Sequence, residues 1–222
     1  MPARIVVATD FSDAAKHALD RAVELAPRLE AELVVLHVAG APPQRGALSS
    51  DRLEAFERLR AAQVGWATGR LLKTASELDA KGLAVKTAMR QGPAAQTIAD
   101  AADELDADLV ITGARGSSEG VFKLGSVAEG VTRHADCSVL VSRDAGPFRK
   151  VLIATDLGKA SASALPLARK LAAADASFDM IHVVAWQEEE APTSGAFGST
   201  SDFAAVIEAE RKDADADLAR VA

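Results

Sequence analysis

Asp108-Leu109-Val110-Ile111-Thr112-Gly113-Ala114-Arg115-Gly116-Ser117-Ser118-Glu119-Gly120-Val121-Phe122-Lys123-Leu124-Gly125-Ser126-Val127 reads as a strand, a glycine-bearing loop and a helix start in immediate succession. The apolar run Leu109–Ile111 is short and bounded by Asp108 and Gly113, as a buried parallel strand should be. From Ser126 to His134 the pattern predicts a helix, with Ser126 placed to cap its first turn. Such a unit aims unpaired backbone N–H groups and the positive end of a helix dipole at one point, the requirement for holding a phosphate. Gly113, Gly116 and Gly125 suit close backbone approach and positive φ. The competing reading of the same residues is a glycine-rich surface loop.

Working outward, the chain before this stretch alternates strand and helix. Ile5–Ala8 predicts a buried strand that ends at Thr9-Asp10-Phe11-Ser12, and Ser12 is a fair cap for a helix with Ala14, Ala18, Ala22, Leu25 and Leu29 on one face. Leu33–Val38 predicts a second strand, and the punctuation from Gly40 to Ser50 predicts a loop. A long helix is expected from about Asp51 to Ala80, with Leu53, Phe56, Leu71, Ala75 and Leu78 inward and Gly65 and Gly69 weakening its middle. Leu83–Ala88 predicts a third strand. Pro93 then suits the first turn of a helix from Ala94 to Leu105, because its missing N–H costs nothing there.

With Cys137–Ser142 as a fifth strand, the pattern gives an α/β fold: a doubly wound five-stranded parallel sheet, flavodoxin-like or of a related order, covered on both faces. Ligands of such sheets bind beyond the carboxyl ends of the strands where the strand order switches. If the first strand and the strand before Gly113 are neighbours there, Asp10 lies beside the glycine loop.

The remaining sequence repeats the beginning. Residues 1–143 form one domain and 144–148 a linker; from 149 to 222 a partial second copy is expected. Val151-Leu152-Ile153-Ala154-Thr155-Asp156 repeats Ile5–Asp10, and Met180-Ile181-His182-Val183 repeats Val35–Val38, a period of about 145 residues. No counterpart of Leu83–Ser142 follows, only a Gly-, Ser-, Pro- and Glu-rich loop and a helix expected from about Asp202 to Val221. Strands apolar on both faces predict that this half is covered by the first domain or by another chain.

Composition narrows the functional classes. The chain has 222 residues, 49% of them hydrophobic, enough for one good core and the start of a second. No run approaches the roughly 18 apolar residues of a membrane span, and Met1-Pro2-Ala3-Arg4 leads straight into a strand without a signal-peptide layout, so a cytoplasmic protein is expected. A net charge of −7 disfavours nucleic acid and anionic membranes as partners. Cys137 is the one cysteine; it reads as a buried structural thiol and leaves no disulfide or cysteine metal cluster. No metal site is suggested.

Taken together, Ala8-Thr9-Asp10-Phe11-Ser12, Leu36-His37-Val38, Gly113-x-x-Gly116, Gly125-Ser126-Val127-Ala128-Glu129 and His134-Ala135-Asp136-Cys137-Ser138-Val139-Leu140-Val141 resemble the universal stress protein family in its tandem form. The resemblance implies an adenine nucleotide alpha hydrolase-like sheet and bound ATP, with Mg2+ as a possible companion and ADP or AMP as alternatives. It places adenine and ribose near Ala8, Thr9, Asp10 and Val38, and the phosphates on Gly113, Arg115, Gly116, Gly125, Ser126 and Val127. A homo-oligomer, a dimer, is expected. The family's nucleotide binders carry nine residues between the second and third glycines; here eight separate Gly116 from Gly125.

Each of these residues also has a plainer role. Asp10 can cap a turn, and Asp156 recurs where no glycine loop follows. Arg115 is a solvated charge or a bidentate phosphate ligand, and Ser126 is a helix cap and a phosphate ligand by the same geometry. His37 and His182 read as half-buried strand-end histidines, and Trp66 has no stacking partner visible in sequence. Without a Gly-x-x-x-x-Gly-Lys-Ser/Thr loop or an evident water-orienting base, binding rather than catalysis is expected, with at most slow ATP hydrolysis. A nucleotide-dependent regulatory module and a dimerising scaffold that binds no nucleotide are the two functions in competition.

Overall fold

The computed structural model describes residues 3–41, 50–114, 124–144, 146–156, 158 and 164–183. The chain divides into two compact units, Met1–Gly146 and Pro147–Ala222. In the first, the elements alternate as β1 (Arg4–Ala8), α1 (Asp13–Arg28), β2 (Glu32–Ala39), α2 (Ser50–Asp79), β3 (Val85–Gln91), α3 (Ala94–Glu104), β4 (Leu109–Gly113), α4 (Ser126–His134) and β5 (Ser138–Ser142). The five strands form one parallel sheet in the order β3-β2-β1-β4-β5. Val6 stands between Val34 on β2 and Val110 on β4. The doubly wound sheet is therefore present, but not in the flavodoxin order 2-1-3-4-5. The chain steps outward from β1 to β3, returns to the other side of β1 as β4, and puts the switch in strand order between β1 and β4.

The central strands β1, β2 and β4 are apolar at consecutive positions without alternation because both faces are covered. On one face Val6, Ala8, Val34, Leu36 and Val110 pack with Ile98, Ala101 and Ala102 of α3 and Val131 of α4. On the other, α1 packs on β1 and β4 while α2 packs on β2 and β3. Helices α3 and α4 approach so closely that a Cβ on Gly130 would lie 2.6 Å from the Ala95 Cβ.

Several local expectations are corrected. The buried stripe of α1 is Ala15, Ala18, Ala22, Leu25 and Ala26, with Arg21 among them; Ala14 and Leu29 are half-buried. The stripe is turned because Ala14 faces the end of β4, and Leu29 is already the helix cap. Strand β3 begins at Val85 and runs to Gln91, since its ladder to β2 extends as far as Ala39. Strand β5 begins at Ser138, leaving Cys137 half-buried, and burial pushes its thiol pKa up. Helix α2 runs unbroken through Gly65 and Gly69; Leu71 and Leu78 are buried, and Ala67 joins them. Its predecessor α1 ends with Glu30 at φ 50°, and α3 ends with Asp106 at φ 49°, both in the left-handed conformation that glycine usually fills.

The second unit contains β6 (Lys150–Thr155), α5 (Ala164–Leu171) and β7 (Ser177–His182). Its two strands pair in parallel with Thr155 opposite His182. The helix expected from Asp202 to Val221 lies outside the described residues.

Candidate functional site

At the carboxyl end of β1 the chain leaves the sheet through a turn fixed from both sides. Thr9 N–H donates to Leu36 O (2.8 Å), extending the ladder one residue beyond β1, and Thr9 O accepts from His37 Nδ1 (2.8 Å). Phe11 then takes φ 63°, a left-handed conformation that costs a bulky residue about 1–3 kcal/mol. Its N–H donates to Thr9 Oγ1 (3.0 Å), and Ser12 N–H donates to Asp10 Oδ1 (2.9 Å). Ser12 Oγ caps α1 by accepting from Ala15 N–H (3.3 Å). Asp10 is exposed, with one carboxylate oxygen tied into the turn.

Across the switch point, β4 ends at Gly113. A Cβ there would lie 2.7 Å from Ala14 O and 2.8 Å from Ala14 C, so this glycine is required where β4 meets the first turn of α1. That differs from the positive-φ role expected of it. Ala114 and Gly125, on either side of the glycine-rich stretch, are joined directly: Gly125 N–H donates to Ala114 O (2.9 Å). Gly125, not Ser126, is the N-cap of α4, and among the described residues no side chain caps that end. Ser126 is the first helical residue because Glu129 N–H already bonds back to Gly125 O (2.9 Å). The first-turn N–H groups of Ser126, Val127 and Ala128 precede the intrahelical ladder, which makes this end a natural anion site.

Between these two ends lies a half-open crevice of about 100 Å³, smaller than the roughly 300–1,000 Å³ of a pocket that encloses a whole ligand. Ala8, Thr9, Asp10, Val38, Gly113 and Val127 line it, together with Ala15, Leu36, Ala94, Ile98 and Thr112. Its apolar wall comes from β2 and α3, and Asp10 is its one carboxylate among the described residues. Gly125 and Ser126 stand at the adjoining helix end, while Arg115 and Gly116 lie outside the described residues.

The family model described as "Usp: Universal stress protein family" matches residues 1–143. The chain belongs to the universal stress protein family. It is 32% identical over 140 residues to the universal stress protein MJ0531 of Methanocaldococcus jannaschii, covering 62% of this chain and 80% of that one. The universal stress protein UspA from Lactobacillus plantarum shares 27% identity at a TM-score of 0.56, over 64% of this chain and 98% of that one. A universal stress protein from Archaeoglobus fulgidus DSM 4304 aligns with 93% of this chain and 74% of its own, at a TM-score of 0.59 and 22% identity; this is a likeness of fold.

Within this member of the family, an aromatic group behind the Asp10 turn is absent from the sequence-based expectations. The Phe11 ring lies 4.9 Å from His37 and meets Trp66 edge-on at 5.2 Å. The Arg70 guanidinium sits over both rings, 5.2 Å from Phe11 and 5.4 Å from Trp66. Trp66 thus has the partners that its sequence neighbours did not reveal. One signal was present: a Thr-Asp at one strand end and a histidine at the next occur in both halves. In the second unit His182 Nδ1 lies 2.8 Å from Thr155 O, and Gly158 N–H donates to Asp156 Oδ1 (2.8 Å). Among the described residues no cluster of His, Cys, Asp or Glu is arranged to hold a metal, and no helix is long and apolar enough to cross a membrane.

Proposed function

We propose that this chain binds an adenine nucleotide in the crevice between β1 and β4 and acts as a nucleotide-dependent regulatory module of the stress response. The observation that carries this is the convergence of Asp10, an apolar wall containing Val38, and the uncapped start of α4 on one crevice at the switch in strand order. Adenine would lie against Val38 and Leu36, the ribose hydroxyls on Asp10, and the phosphates toward Gly125, Ser126 and Val127, with Arg115 and Gly116 completing that end. The crevice offers an accompanying Mg2+ a single carboxylate, so such an ion would be held mainly by the phosphates. ATP is the proposed ligand, with ADP and AMP admitted to the same place.

The repeated His–Thr and Asp–Gly contacts of the second unit support a tandem organisation with a partial second copy. Its exposed Leu152, Ile181 and Val183 favour a homodimer, and equally the second function, a dimerising scaffold. Mass spectrometry of nucleotide released from the acid-denatured protein, with calorimetry of the wild type and Asp10→Ala against ATP and AMP, separates the two. Released adenine nucleotide and at least tenfold weaker binding by Asp10→Ala are expected. A protein that carries no nucleotide and gives no heat with either ligand would leave the scaffold.

A further inference from the structure

We propose that His37 is a positioning residue for the nucleotide crevice, acting from behind the sheet through the backbone of Thr9. Side chains alternate along β2: Leu36 and Val38 belong to the crevice wall, while His37 projects toward α2. Because a carbonyl only accepts, the 2.8 Å contact to Thr9 O requires the hydrogen on Nδ1. Both polar backbone groups of Thr9 are then held by β2, the N–H by Leu36 O and the C=O by the imidazole. Asp10 is the next residue, and its direction is set by that anchor and by the left-handed Phe11 that follows.

The Phe11 ring is seated on His37 at 4.9 Å and braced by Trp66 and Arg70, so the imidazole also supports the residue whose backbone is strained. The same contact between His182 and Thr155 recurs one residue before Asp156, which ties the histidine to the Thr-Asp turn itself. None of these groups lines the crevice except Thr9 and Asp10. A ligand would meet only the consequence of the imidazole, an aspartate whose orientation is already fixed and need not be paid for on binding.

The proposal rests on the nucleotide function above, and its test carries a readout that does not. In the full chain, His37→Leu removes the ring and the donor, whereas His37→Asn removes the ring but keeps an N–H where Nδ1 stood. Titration with AMP should show His37→Leu about tenfold weaker than wild type, the loss expected for one hydrogen bond's worth of preorganisation, and His37→Asn within about threefold. Hydrogen exchange of the Ser12 amide without nucleotide should quicken about tenfold in the Leu variant and stay near wild type in the Asn variant. Equal behaviour of the two variants in both readouts would mean that only packing matters, and an unmoved Ser12 amide in His37→Leu would equally overturn the proposal. If wild type binds no AMP, the nucleotide function fails by itself and the amide measurement alone decides the role of His37.

Discussion

Replacing Gly113 with alanine adds one methyl group where β4 lies closest to the backbone of α1's first turn. The new Cβ would lie 2.7 Å from Ala14 O, 2.8 Å from Ala14 C and 3.2 Å from Ala14 Cβ. Relaxed contacts need about 3.5 Å, so α1 must retreat by about 0.8 Å at its first turn. The opposing atoms are helix backbone, with no rotamer to change, and overpacking of this kind costs about 1–3 kcal/mol. For a unit of this size that is a fall in Tm of about 3–10 °C. The same substitution at Gly69, in the middle of α2 with nothing within 4 Å, should instead stabilise by about 0.5–1 kcal/mol. Paired urea melts of the two variants test the reasoning. If Gly113→Ala is neutral, or stabilises as Gly69→Ala does, the contact with Ala14 is not what demands glycine there.

Arg21 is 1% exposed, pairs with Glu24 at 2.5 Å, and donates to the carbonyls of Asp144 (3.2 Å) and Gly146. Arg21→Met keeps the apolar stem and loses those bonds, so denaturant titration should show a loss of about 2 kcal/mol, because Asp144 O retains its bond from Ser142 Oγ. The Lys86 ammonium 2.6 Å from Glu32, with Arg4 at 3.2 Å, holds the Glu32 carboxyl below its ordinary pKa despite burial. That contribution is complete above about pH 4.5, the unfolded-chain value, and is lost as pH falls through the lower folded-state value; melts between pH 7 and pH 3 should show Glu32→Gln losing less stability on acidification than wild type. Inserting one glycine after Ser118 restores the nine-residue spacing and should tighten ATP more than AMP in calorimetry; strong native preference for ATP, or no gain on insertion, would show that the shorter spacing costs nothing.

The sheet was legible because burial on both faces makes its three central strands almost wholly apolar, and Ile5–Ala8, Leu33–Val38 and Leu109–Ile111 announce themselves. Strand β3 was placed too early because Arg90 and Gln91 are polar, yet they continue a ladder that only the partner strand defines. Asp10 and Gly113 could be assigned to one crevice from the topology of a doubly wound sheet alone. The reason for Gly113 could not, since the demand comes from Ala14, a residue far away in sequence. Ser126 was preferred as a cap on side-chain chemistry, but capping is decided by where the ladder begins, and it begins at Gly125. The stacking of Phe11, His37 and Trp66 joins three elements distant in sequence, so composition and periodicity are silent about it.

The hydrogen bond from Gly125 to Ala114 ties together the residues on either side of the glycine-rich stretch, one just past β4 and the other at the start of α4. A segment clasped in this way is a graft point. Residues can be added to or removed from its crown at a closure cost that grows only logarithmically with length, about 0.6 kcal/mol for a doubling. Neither β4 nor α4 need register the change. Descendants of one sheet could therefore diversify this stretch while inheriting the rest of the crevice unaltered, and a designer could exchange it between relatives by cutting between Ala114 and Gly125 alone.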